Sequence, residues 1–437
     1  MSRPVDMREV PQDRPRTAAL IARITGWERD LVLSVLSQLV QKLPGLVAAM
    51  VLARHFDKDL IGQFFFFGVV ASIAATASHL GTDRELRRSV AQRPDEALDM
   101  LGQVLPLRLV SIVVLFVGIN AAVALLSPDM LAISALCTAY MLVGDLFFSY
   151  SAVFVGFRWM GLRLAVGAIG PLLIALSSLA VFLGWSLPAV LALYVCANAL
   201  MVTVAALATR ARLGRPHLEW RFERLKPMLT VAAPFLFTEI VLLLQGKVDV
   251  LMIFALSTAT QVAEYEASYR LLEVTRTLIR PLMMVFVPIA AAMAATGRGD
   301  ELGRLIRKLL TAVSLAGAVL AVICIALAEP IVVTVWGSGY RSSAAIFTVL
   351  ALSTVPLFLG MAALHLAGAL HRERDCLGIL TVTAIANAAL NAVVIPRHGA
   401  LGAAWTTFAT ECLAAAILIL LILRASRVPA PEAPRDG

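Results

Sequence analysis

Apolar runs of about 20 residues, the length a helix needs to cross hydrocarbon, recur along nearly the whole chain. Twelve are read, at 31–53, 60–80, 104–126, 131–156, 164–184, 187–209, 229–256, 264–294, 307–328, 343–369, 376–396 and 400–424. No succession of alternating ten-residue strands with turn clusters interrupts them, which excludes a barrel reading. The expected class is therefore an all-α polytopic membrane protein of about twelve transmembrane helices. Composition agrees: 60% of residues are hydrophobic and only 15% charged, far from the roughly one-quarter charged balance of soluble domains.

Orientation follows from Lys and Arg, which stay on the cytoplasmic side of a bilayer. Of the 37 basic residues, 27 fall in the tails and in alternate loops on one side, against Arg54, Lys58, Arg341 and Arg397 on the other. Both termini are expected in the cytoplasm, and the location expected is the bacterial inner membrane. The net charge of +8 needs no nucleic-acid partner, because loops resting on anionic membrane lipids account for it. The first 29 residues are polar and lack the apolar core of a removable signal peptide. The five cysteines, Cys137, Cys196, Cys324, Cys376 and Cys412, lie within or at the ends of spans with no CxxC spacing and read as packing residues.

The basic connection at 210–228 divides the spans six and six. The expected organisation is a tail at 1–29, a six-helix bundle at 30–209, the linker, a second bundle at 229–424 and a tail at 425–437. Internal similarity supports the division. "LARHFDKDLIGQFFFF" (52–67) parallels "FALSTATQVAEYEASY" (254–269) at an offset of 201, and "AVGAIGPLLIALSSLAVF" (165–182) parallels "TVTAIANAALNAVVIP" (381–396). Copies separated by six spans run in the same direction, so the halves are expected to be pseudo-symmetric about an axis along the membrane normal, around a central cavity.

"QVAEYEASYRLLEVTRTLIRP" (261–281) carries six charges inside or at the edge of an apolar span. On a helix Glu266, Arg270, Glu273, Arg276 and Arg280 share one arc of about 120°. An ionisable side chain at mid-bilayer costs at least about 2.5–3.5 kcal/mol, so such a stripe must face a polar cavity or partner charges. Reflection about the turn near residue 260 puts Lys247 level with Glu273 and Asp249 level with Arg270. A ladder of purely structural ion pairs competes with this reading, but desolvation makes buried ladders poor stabilisers, whereas a hydrated crevice holds charges cheaply. The stripe is read as part of a cargo or ion pathway.

Other polar residues within the spans are fewer. Lys42, beside Gln38 and Gln41 and just before a helix-perturbing Pro44, is the candidate cavity cation of the first half. Arg108 and Asp145 sit at similar depths and are candidates to pair. Glu239 and Glu411 are candidate proton carriers, since a carboxylate in low dielectric titrates closer to neutrality. Asn387 and Asn391, one turn apart, read as helix bridges, and His365 as a packing residue. Cations within the spans number six and acids six, so charge alone names no cargo.

Three segments carry a family resemblance: "NAALNAVVIPRHGALGAAWTTFATE" (387–411), "APFLFTEIVLLLQGKVDVLMIFALSTATQVAEYEASYRLLEV" (233–274) and "VVTVWGSGYRSSAAIFTVLALS" (332–353). They resemble the polysaccharide flippases, the O-antigen and exopolysaccharide branch of the multidrug/oligosaccharidyl-lipid/polysaccharide exporter superfamily. The likeness covers most of the chain and is clearer in the second half; the first half departs from it at "HFDKDLIGQF". It implies two bundles that alternate access and move an undecaprenyl-diphosphate-linked oligosaccharide from the cytoplasmic to the outer leaflet. Lys42, Lys247, Arg270, Arg276 and Arg280 would then attract the headgroup. Asp249, Glu266, Glu273, Asp145, Glu239 and Glu411 would tune these cations or couple transport to a proton or sodium gradient. No cofactor or metal is implied; a polysaccharide polymerase and glycosyltransferases would be partners. The alternatives are a multidrug or small-solute exporter and a lipid-linked peptidoglycan precursor flippase. A membrane-embedded glycosyltransferase or polymerase is disfavoured by outer connections of about 15 residues or fewer and by the lack of DxD, HExxH or GxSxG motifs.

Overall fold

The computed structural model describes residue 36 and residues 39–426, apart from 217, 219–221, 278, 297 and 371. The tail at 1–29 and most of that at 425–437 lie outside the described residues. The chain is a succession of helices: α1 (39–55), α2 (Lys58–Ser78), α3 (Thr82–Gln92), α4 (Ala97–Leu126), α5 (Leu131–Gly156), α6 (Met160–Ser178) and α7 (Leu187–Leu213) form the first half. The second half comprises α8 (Phe222–Leu256), α9 (Ala259–Arg276), α10 (Ile279–Ala295), α11 (Gly299–Ala326), α12 (Ala328–Trp336), α13 (Ser343–Leu352), α14 (Thr354–Ala369) and α15 (Glu373–Ala425).

Seven of these segments are each long and apolar enough to cross a membrane, and α13 with α14, bent by 44° at their junction, adds another. α15 has 53 residues and crosses twice, because Gly399 leaves the helical region at φ 56°, ψ −140°, a conformation available to glycine at little cost. The amide of Ala400, freed by that bend, donates to Gln261 Oε1 of α9 at 2.6 Å. With α1, α8 and the pair α9 and α10, the described helices make the twelve passes expected; the short helices α3 and α12 lie at the two ends of the bundle.

The span expected at 264–294 is built from two helices, α9 and α10, instead of one. The end of α9 at Arg276 has a local cause: Pro281 brings no N–H to bond the carbonyl of Thr277, so the ladder is interrupted one turn before it. Pro44, by contrast, lies within a helix that runs unbroken from 39 to 55.

The end of the bundle where the described chain begins is called proximal, the opposite end distal. Distally, one buried apolar cluster draws on both halves, joining Leu52, Phe65 and Tyr194 to Val250, Trp336 and Phe347. Proximally the cores are separate: Leu86, Leu101, Phe154 and Met201 in the first half, Ile279, Ile306, Leu366 and Ile422 in the second. The halves are thus fused at one end and divided at the other.

Two contacts between the halves set this shape. α2 and α9 meet at their distal ends so closely that a Cβ on Gly62 would sit 1.8 Å from the Ala259 carbonyl oxygen, and Lys58 Nζ reaches Glu264 Oε1 at 2.5 Å. At the repeat offset of 201, Ala259 is the counterpart of Lys58 and Glu264 that of Gln63, so both helices use the same stretch of themselves to meet, as a pseudo-two-fold requires. Along one flank, α2 and α8 run antiparallel in contact. Phe66 stacks on Phe254 with ring centroids 3.7 Å apart, Glu239 pairs with Arg84 at 3.2 Å and His79 at 3.7 Å, and Gly81 abuts Ala232.

Candidate functional site

The hairpin of α8 and α9 builds the site. Thr258 caps α9, its hydroxyl accepting from the Gln261 amide at 3.3 Å, and the tight turn folds α9 back along α8. Lys247 thereby reaches two acids of the stripe, Glu266 at 2.9 Å and Glu273 at 3.6 Å. Its ammonium lies 4.9 Å from the centroid of the Tyr269 ring, and the Arg276 guanidinium is 5.3 Å from the same ring. Arg276 in turn faces Glu411 of α15 at 3.7 Å, an ion pair too long to be a hydrogen bond.

Arg270 is placed differently. Its guanidinium lies 4.4 Å from the ring of Phe65 in the first half, a cation–π contact across the interface. Its enclosed Nε has no hydrogen-bond partner, and among the described residues no carboxylate stands within ion-pair distance of it. Arg276 Nε and Glu266 Oε2 are likewise enclosed and unbonded. Buried polar atoms are normally satisfied, so three such atoms on one face of one helix mark a cluster with bonding capacity to spare.

A cavity of about 260 Å³ adjoins this cluster. Its charged lining is Lys42 from the first half and Glu273, Arg276 and Glu411 from the second; Gln245, Leu357, Met361 and Ala414 are among its other walls. The side chain of Arg280, expected on the same stripe, lies outside the described residues, and the break between α9 and α10 puts its backbone on a different helix.

Asp249 does not meet Arg270. Positions 247 and 249 on α8 are about 200° apart, so one residue facing the stripe turns the other away, towards α15. There Asp249 is buried and accepts from Tyr265 Oη at 2.6 Å, Thr407 Oγ1 at 2.9 Å and Asn391 Nδ2 at 2.5 Å. Asn391 also donates to Asn387 at 3.0 Å, and Asn391 Oδ1 is enclosed without a partner. His365 turns back on its own helix at Met361 O.

Asp145 and Glu239 stand apart from the cavity. Arg108, Asp145 and Asp83 form a network in the first half, centred on the buried Arg108: Arg108 bonds Asp145 at 2.6 Å, Asp83 at 2.8 Å and Ser149 at 2.6 Å, while Ser78 donates to Asp145 at 2.7 Å. Glu239 lies on the flank between α2 and α8, paired as described above. Among the described residues no group of three or more His, Cys, Asp or Glu side chains could hold a metal ion.

Sequence reasoning missed the distal closure. Lys58 bonds Ser342 as well as Glu264, at 3.3 Å, and Arg54 bonds the carbonyls of Thr334 and Val335, where the C-terminal end of α12 presents unpaired acceptors to a cation. The one available signal was that two of the four basic residues assigned to the outer side, Arg54 and Lys58, sit four apart where α1 gives way to α2.

Several solved transporters share the fold. A multidrug resistance MATE family transporter of the MOP superfamily, in an inward-facing conformation, matches with a TM-score of 0.71 at 14% identity, covering 91% of this chain and 98% of its own. The lipid II flippase MurJ in an inward closed conformation gives 0.71 at 12% identity, covering 90% and 87%. A MOP superfamily transporter from Pyrococcus furiosus gives 0.63 at 13% identity, covering 90% and 94%. No curated protein matches the chain by sequence. Residues 28–294 match the polysaccharide biosynthesis protein family, and the chain, a multi-pass membrane protein with the two-lobed MOP transporter fold, belongs to that family.

Proposed function

We propose that the protein is a flippase that carries an undecaprenyl-diphosphate-linked oligosaccharide from the cytoplasmic to the outer leaflet of the inner membrane, for O-antigen or exopolysaccharide synthesis. The observation that carries this reading is Arg270, a guanidinium at the seam of the two halves with an unbonded Nε and, among the described residues, no carboxylate within ion-pair distance. A diphosphate needs a fixed cation in a wet crevice, and guanidinium binds phosphate oxygens in a bidentate fork. Lys42, Lys247 and Arg276 add positive potential, and Glu266, Glu273 and Glu411 hold those cations in place.

With the proximal end taken as cytoplasmic, the lobes part towards the side where cargo is made, and the distal contacts of Gly62, Lys58 and Arg54 shut the outer side. Flipping requires those contacts to break and the proximal cores to meet. The lipid tail stays in the bilayer while the sugar crosses.

Coupling to a proton or sodium gradient is assigned to Asp249 and Glu411, carboxylates on or against the moving hairpin. Asp249→Asn is expected to leave flipping insensitive to an imposed ion gradient; retention of full gradient dependence would remove Asp249 from that role.

The test of the main reading is direct. Arg270→Ala, with insertion verified, should trap the lipid-linked oligosaccharide on the cytoplasmic side, and Arg276→Ala should weaken transport. Normal surface polysaccharide in both variants sinks the assignment. Drug efflux by the unaltered protein would favour the multidrug-exporter alternative, and movement of a peptidoglycan precursor lipid would favour the other.

A further inference from the structure

We propose that the pair Arg276 and Glu411 makes the crevice select headgroups whose first sugar is uncharged and reject those whose first sugar bears a carboxylate. The inference rests on the flippase reading and specifies its substrate class.

The cavity of about 260 Å³ is slightly smaller than the roughly 300–1,000 Å³ usual for small-molecule sites. It holds a sugar ring beside the diphosphate, with the rest of the oligosaccharide outside. Its charged walls are balanced, Lys42 and Arg276 against Glu273 and Glu411, so the space has no net pull on an anion. The diphosphate is provided for elsewhere, at Arg270, which does not line the cavity.

The geometry of the pair points to a hydroxyl. Arg276 Nη2 and Glu411 Oε1 stand 3.7 Å apart, beyond hydrogen-bond range, and Arg276 Nε is enclosed without an acceptor. At Nη2 and Oε1, then, a donor and an acceptor face each other without bonding. A sugar hydroxyl accepts from the guanidinium and donates to the carboxylate at once, which no carboxylate does, being an acceptor alone when ionised. An acidic sugar would satisfy Arg276 but bring its charge against Glu411 and Glu273 in a crevice where water screens poorly. Leu357, Met361 and Ala414 offer apolar wall for the C–H face of the ring.

The test uses the full chain in proteoliposomes and two fluorescent polyprenyl-diphosphate disaccharides, identical except that the first sugar is a hexose in one and the corresponding hexuronate in the other. The unaltered protein is expected to move the neutral lipid at least about tenfold faster, equivalent to about 1.4 kcal/mol. Glu411→Gln should cut that ratio to about threefold or less, whatever it does to the rate of both lipids together. Equal or faster movement of the uronate by the unaltered protein overturns the proposal, as does an unchanged ratio in a folded Glu411→Gln variant. Should that variant not insert, the ratio in the unaltered protein and in Glu273→Gln decides the matter. Movement of both lipids without preference refutes selectivity alone, whereas movement of neither refutes the flippase reading and this inference with it.

Discussion

Arg108 in the first half and Arg276 in the second are both enclosed by helices and set against carboxylates, yet their surroundings differ in completeness. Arg108 is 1% exposed and spends its donors on two acids and a serine at 2.6–3.4 Å. Arg276 is 24% exposed, meets its acid at 3.7 Å and keeps an unbonded Nε. A satisfied buried network rigidifies, while a half-satisfied one is costly unless something arrives to complete it. The first cluster fastens α2, α3, α4 and α5 together; the second borders a cavity, where the proposed function places its cargo.

That contrast can be broken by experiment. The largest effect is expected from Arg108→Ala, which leaves the buried Asp145 without its cation and should cost about 3–5 kcal/mol of stability, read as loss of monodisperse protein or a lower unfolding temperature. Adding Asp145→Asn should recover part of it. Arg270→Ala is expected to do the reverse, cutting flipping by about 100-fold, equivalent to about 2.7 kcal/mol of lost transition-state stabilisation, with the unfolding temperature nearly unchanged. If Arg270→Ala unfolds the protein and Arg108→Ala does not, the division between fastening and working clusters is wrong.

Smaller effects test the distal closure. Gly62→Val forces a side chain against the Ala259 backbone and should disfavour the closed distal contact by about 1–3 kcal/mol, seen as faster maleimide labelling of Ala267→Cys. Lys58→Ala removes an ion pair that is only partly shielded and should cost at most about 1 kcal/mol. A double-mutant cycle with Glu264→Ala measures it, and coupling of zero would leave closure to packing and to the Arg54 bonds.

Much of the site was legible because charge in an apolar run is conspicuous: Glu266, Arg270, Glu273 and Arg276 announced a polar face before any fold was known. Depth was legible too, and correctly put Arg108 beside Asp145 and Lys247 beside Glu273. Azimuth was not used for α8, and for that reason Asp249 was set against Arg270 when helical rotation turns it to Thr407 and Asn391. The break after Arg276 was written in Pro281 but hidden by continuous hydropathy. Contacts between residues some 200–280 positions apart, such as Lys58 with Glu264 and Arg54 with the end of α12, leave no local pattern; the repeat offset marks 52–67 and 254–269 as alike without showing that they meet.

The antiparallel run of α2 against α8, from the stacked rings of Phe66 and Phe254 to the abutment of Gly81 on Ala232, acts as a spine. It closes one side of the crevice along its length. Under the proposed function, a cargo that keeps its tail in the bilayer would have only the opposite side by which to come and go.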